Sequence, residues 1–105
     1  MDLKTVESAY VMAINKWGNV AQLEMLQEEA TELALATRKH IRKNSESSLS
    51  DLVDEIADTE IMIGQIKLMY KHIDLGEMID SRKLFKIKRL IKRINNGSFE
   101  ALPQE

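Results

Sequence analysis

Asn44-Ser45-Glu46-Ser47-Ser48-Leu49-Ser50 interrupts two long stretches otherwise written in Leu, Ala, Met, Ile, Glu and Lys. Serine and asparagine favour caps and turns over helix interiors. Working outward, one helix arrives from a cap at Asn19 and ends near Lys43, and another leaves, capped by Ser48 or Ser50, towards His72. So short a connection makes the two helices antiparallel neighbours. Farther upstream, Val6, Ala9, Tyr10, Ala13 and Trp17 recur at helical spacing and predict a first helix over 5–17, stopped by Gly18. Downstream the chain turns near Gly76, and a fourth helix runs to Asn95-Asn96-Gly97. The one proline, Pro103, leaves every helix interior unbroken. The expected fold is all-α: a four-helix, bundle-like domain over 1–97 with two long antiparallel central helices, then a loose tail over 98–105.

These 105 residues, 44% of them hydrophobic, can fill one core and not two. Cysteine is absent, which removes disulfides, thiolate metal sites and thiol nucleophiles and suits the cytoplasm. No apolar run approaches the roughly 20 residues that cross a bilayer, and Met1-Asp2-Leu3-Lys4 does not read as a signal peptide, so no membrane role is expected. The net charge of −2 conceals a division. Acids crowd Glu24 to Glu60, whereas seven Lys or Arg fall between Arg82 and Arg93 with no acid among them. Such a chain suits metal at one place and phosphate at another.

Two carboxylate pairs of equal spacing flank the polar connection: Glu29 with Glu32, and Glu55 with Asp58. Residues three apart share a helix face. Each pair can aim two oxygens at one point, and two pairs that meet form a cage for a hard divalent cation. At about 100° per residue, Leu23, Leu26, Ala30, Leu33 and Thr37 make the core stripe of the second helix, with Glu29 on its shoulder and Glu32 further round. Leu52, Ile56, Ile63, Ile66 and Tyr70 make that of the third, with Glu55 and Asp58 on the matching shoulder. The two-fold relation of antiparallel helices brings both shoulders to one side. Surface decoration is the competing reading, since such patterns arise easily in a chain that is 30% charged. Clustered carboxylates beside a core repel one another, however, which favours metal. An all-oxygen Mg²⁺ or Mn²⁺ site is expected rather than di-iron, because neither His40 nor His72 completes a Glu-x-x-His pair. The third helix carries a second apolar line, Val53, Ala57, Ile61, Gly64 and Leu68. A second subunit is its expected cover, with helices one and four of the same chain as the alternative.

In these residues the chain resembles the MazG-like all-α nucleoside triphosphate pyrophosphohydrolases, whose motif is EExxE followed by ExxD on the next long helix. Glu28-Glu29-Ala30-Thr31-Glu32 matches the first part and Glu55-Ile56-Ala57-Asp58 the second, with 22 residues between them. Gln22, two turns before the acids, and the run Asp54 to Asp58 fit the surroundings of the motif, and the likeness spans Trp17 to Ile94. The resemblance implies a Mg²⁺-dependent enzyme that cleaves an NTP or dNTP to the monophosphate and pyrophosphate. It also implies that Glu29, Glu32, Glu55 and Asp58 hold the metal. Glu28 or Glu32 is the candidate to orient or deprotonate the attacking water.

Arg82, Lys86, Arg89 and Arg93 share one face of the fourth helix. A solvated surface explains them as well as a phosphate clamp does, but Phe85-Lys86 with Arg89 and Arg93 resembles the basic signature late in these enzymes. Lys86, Arg89 and Arg93 are therefore the expected phosphate ligands. The non-enzymatic alternative is a helical interaction or nucleic-acid-binding module using the helix over 82–93. An acidic cage repels a polyanion, so nucleic acid is not the expected partner. Trp17 suits a core position better than a base contact, and Asn15 beside it is a further candidate for touching the base. The expected assembly is a homodimer or homotetramer.

Overall fold

The computed structural model describes residues 1–96, among which there are four α-helices, one short 3-10 turn and no strand. Helix α1 spans Leu3–Trp17, α2 Asn19–Lys43, α3 Glu46–Met69 and α4 Leu75–Asn95, with the 3-10 turn over Lys71–Ile73. The chain is all-helical, as its periodicity predicts. The tail expected over 98–105, and Gly97 before it, lie outside the described residues.

Local chemistry sets the boundaries, and several differ from the sequence expectation. Asp2 caps α1 by accepting the Thr5 N–H at 2.8 Å. Gly18, at φ 89°, both ends α1 and opens α2, so Asn19 is the first helical residue and not the cap. Asn44 closes α2 in the left-handed region (φ 44°, ψ 49°), which asparagine tolerates better than most residues. Ser45 then caps α3, displacing Ser48 and Ser50 from that role. Its hydroxyl accepts the Ser48 N–H at 3.1 Å while the Ser48 hydroxyl accepts the Ser45 N–H at 3.0 Å, a reciprocal capping box. Helix α3 stops at Met69, short of His72. The chain reverses at Asp74 (φ 54°), while Gly76, the expected turn, lies inside α4.

Helices α2 and α3 form an antiparallel hairpin whose seam repeats at alternating steps of three and four. Gln22, Leu26, Glu29, Leu33, Ala36 and His40 line it from α2. Ser48, Leu52, Glu55, Thr59, Met62 and Ile66 line it from α3. Cross-links fix the pairing: His40 Nδ1 lies 2.8 Å from Ser48 Oγ, Lys39 pairs with Asp51 at 3.1 Å, and Gln22 donates to Gln65. The expected stripes were rotated. Ala30, Thr37, Ile56 and Ile63 are exposed, and Glu29 and Glu55 stand in the seam and not on its shoulder. Apolar residues surround α3 on more than one side, so their mean direction does not mark its line of contact with α2.

Helix α1 lies across the C-terminal half of α3. Gly64 meets the Tyr10 ring there so closely that an added Cβ would come within 2.8 Å of it. Gly64 thus serves a contact within the chain, the alternative cover for this part of the second apolar line. The other end of that line stays open, with Val53 and Ile61 exposed. Helix α4 packs on α3 and the 3-10 turn and not on α1 or α2. Its Leu84, Phe85, Ile87 and Ile91 are each at least half exposed. The radius of gyration, 16.9 Å, exceeds the roughly 13 Å of a compact chain of this length. Among the described residues no helix is long and apolar enough to cross a membrane.

Candidate metal centre

One turn of α2 and one of α3 face each other across the middle of the seam, carrying Glu29 and Glu55. Thr59 sits beside them; its hydroxyl donates to the Glu55 carbonyl at 2.8 Å and reaches towards that of Glu29 at 3.4 Å. That small side chain lets the helices approach. Glu32, one turn on from Glu29, brings a third carboxylate from the exposed edge. One oxygen from each of Glu29, Glu32 and Glu55 lies within 4.8 Å of the other two. An octahedral Mg²⁺ holds opposed oxygens about 4 Å apart, so a small side-chain adjustment would let the three share one ion.

The electrostatics of the cluster point the same way. Burial pushes the carboxyl of Glu29 above its ordinary range, and repulsion from Asp58, Glu32 and Glu55 adds to it. Burial likewise raises Glu55, reinforced by Glu32 and Asp58. The charges acting most on both groups are other carboxylates. In each of the two, Oε2 is closed off from solvent and has no hydrogen-bond partner. An acceptor closed off from water without a donor is unfavourable, and more so when charged. A proton or a cation would relieve that cost, and all-oxygen donors of this kind suit Mg²⁺ or Mn²⁺.

Asp58 is not in the close triad but lies near enough to act on both buried carboxyls. Glu28 is exposed and shares a shallow groove with Glu24, Gln27, Thr31 and Glu32. The histidines take other roles: His40 contacts Ser48 at the hairpin turn, and His72 lies beside the Tyr70 ring.

The expected phosphate ligands Lys86, Arg89 and Arg93 are on α4, which does not pack against α2. Around Phe85 the helix makes a cationic stack, with the Arg82 guanidinium 4.9 Å and that of Arg89 6.0 Å from the ring centre. Trp17, expected in the core, is 60% exposed. It borders an apolar pocket between α1, α2 and α3 whose lining includes Met25, Met62, Gln22 and Gln65 but not Asn15. Residue-type reasoning missed Gln22 and Gln65 as pocket residues. Gln22 carried a signal in its place two turns before Glu29, whereas Gln65, one residue off the seam register, carried none. No family model matches the chain, and it matches no curated protein and no solved structure.

Proposed function

We propose that this chain is a Mg²⁺-dependent nucleotide pyrophosphohydrolase, cleaving an NTP or dNTP to the monophosphate and pyrophosphate. The observation that carries the reading is the pair of facing glutamates, Glu29 and Glu55, with closed-off, partnerless oxygens beside Glu32. Helix seams are normally filled by apolar side chains. Two raised carboxyls at the centre of one destabilise the metal-free chain, and a cation-dependent role accounts for their place. Their order along the chain is that of the MazG-like motif.

In this reading Glu29, Glu32, Glu55 and Asp58 hold the ion. When bound, Mg²⁺ shields the negative oxygens of the triphosphate and the charge that grows on departing pyrophosphate. Exposed Glu32, or Glu28 next to the groove, accepts a hydrogen bond from the attacking water and takes its proton. Lys86, Arg89 and Arg93 neutralise the phosphates, arginine by paired N–H donors. The chain works as a homodimer or homotetramer in the cytoplasm, and the uncovered apolar residues of α3 and α4 support the assembly.

Pyrophosphate release from a panel of NTPs and dNTPs, with and without Mg²⁺, tests the reading. Release that needs both nucleotide and metal is expected, together with a rise in Tm on adding Mg²⁺. If neither appears, and the chain instead retains a DNA or RNA oligonucleotide through α4, the hydrolase reading falls.

A further inference from the structure

Gln22 and Gln65 are 4% and 6% exposed, deeper than almost every apolar side chain of the molecule. Placing two primary amides there is costly unless their polar atoms are used. One internal hydrogen bond, from Gln22 Nε2 to Gln65 Oε1, engages only two of their four polar atoms. Among the described residues the remaining carbonyl oxygen of Gln22 and amide nitrogen of Gln65 have no partner. Among the described residues the polar atoms sealed off without a partner are carboxylate oxygens of Glu29 and Glu55, so the two amide atoms are not sealed. Both glutamines line a cavity of about 500 Å³ whose other walls are Trp17, Ala21, Glu24, Met25 and Met62.

We propose that this cavity is a nucleobase site, with the Gln22–Gln65 amide pair reading the hydrogen-bonding edge of the ring and Trp17 stacking on its face. The inference rests on the hydrolase reading, for which it supplies the base-recognition element. Apolar walls and an exposed indole suit a flat heteroaromatic ring. One acceptor beside one donor matches the adjacent donor and acceptor that each of the common bases carries. The amides are also coupled. Turning one alone would set oxygen against oxygen or nitrogen against nitrogen, so the two turn together, and the outward order of donor and acceptor then reverses. The pair can therefore meet uracil-type and cytosine-type edges alike, and it recognises a base without fixing which one. Gln22 precedes Glu29 by seven residues on the same stripe, about 10 Å along the helix. Gln65 stands seven residues beyond Asp58 on the other strand of the hairpin. A ribose and its phosphates bridge that span, with the base at the amides and the phosphates at the acids.

Trp17 is the only tryptophan, so its fluorescence reports the cavity directly. Wild-type protein is titrated with uridine and with 3-methyluridine, which lacks the ring N–H, in EDTA so that neither phosphate nor metal contributes. Saturable quenching by uridine is expected, with 3-methyluridine binding about tenfold more weakly. Q22L/Q65L should keep its helix content and its Mg²⁺-induced rise in Tm, lose uridine binding, and raise KM for the triphosphate with little change in kcat. The proposal is overturned if uridine does not quench, if the two nucleosides bind equally, or if Q22L/Q65L matches wild type in KM. Nucleoside binding without any triphosphate turnover would sink the hydrolase reading alone. Mg²⁺-dependent turnover that ignores both glutamines would sink the base site alone.

Discussion

Gln22, Glu29 and Glu55 fill positions along the α2–α3 seam, with Gln65 beside it, where Leu or Ile would pack, while Leu84, Ile87 and Ile91 on α4 meet solvent where Lys or Glu would serve. Both regions are built from regular helix, and each has the opposite fault in a lone, metal-free chain. The seam accepts buried polar groups at a cost in stability, which points to ligands that the chain must hold. The outer helix accepts exposed apolar groups, which points to surface still to be covered. The proposed function reads the misplaced side chains as a ligand site in the first region and as an assembly surface in the second.

The comparison can be broken most sharply at α4. I87E with I91E should leave the hairpin folded by circular dichroism yet reduce the particle from an oligomer to a single 12.0 kDa chain in light scattering. Wild-type protein that is already a monomer at micromolar concentration would remove the assembly half of the contrast. In the seam, E29Q or E55Q keeps the shape and removes a buried charge. We expect turnover to fall by about 10²-fold or more, while Tm in EDTA rises above wild type because the repulsion is gone. A variant that loses Tm instead would show that the carboxylates are structural.

R89A and K86A should each lower kcat/KM by roughly tenfold to a hundredfold while leaving the Mg²⁺-induced shift in Tm intact. K88A and K92A, on another face of α4, should do much less. Equal effects from all four would make the helix a general electrostatic surface.

The smallest expected effect is on pH dependence. Glu29 and Glu55 are raised in the folded chain above the ordinary 4.5, so the folded state binds their protons more tightly than the unfolded state does. Their protonation therefore favours the metal-free fold at low pH, and that advantage fades as pH climbs from about the ordinary carboxyl value through the raised one. Subtracting the Tm profile of E29Q/E55Q from that of wild type isolates the contribution. The difference should fall with rising pH in EDTA and flatten or reverse with Mg²⁺, which competes with the protons. A difference that rises with pH in EDTA would contradict the repulsion at the heart of the seam.

Much of this architecture is legible in the amino-acid order. Gly18 and the polar run after Lys43 separate the helices because glycine and serine act on the backbone locally, whatever packs nearby. The equal spacing of Glu29–Glu32 and Glu55–Asp58 likewise points to the acidic cluster before any coordinates exist. The line of contact between α2 and α3 is harder to read. A wheel weighted by hydrophobicity passes over Gln22, Glu29, Glu55 and Thr59, although each stands in the alternating steps of three and four that trace the seam. The pocket beside Trp17 was out of reach for a different reason. It takes three helices to form, and no single stretch of chain contains its shape.

Gly18 joins α1 to α2 at φ 89° and ψ 163°, a conformation that is almost exclusively glycine's. Nothing lies within 4 Å of where its Cβ would stand, so room is not what keeps the position a glycine. Handedness is. Reflected, those angles fall in the ordinary extended region of the backbone. An L-alanine there would strain the joint and tilt α1, and with it Trp17, away from the hairpin. A D-alanine introduced by chemical synthesis fits the same angles without strain and narrows the freedom of the unfolded chain, so it should raise Tm where its mirror image lowers it. Open space at this joint thus gives no tolerance of the other encoded residues.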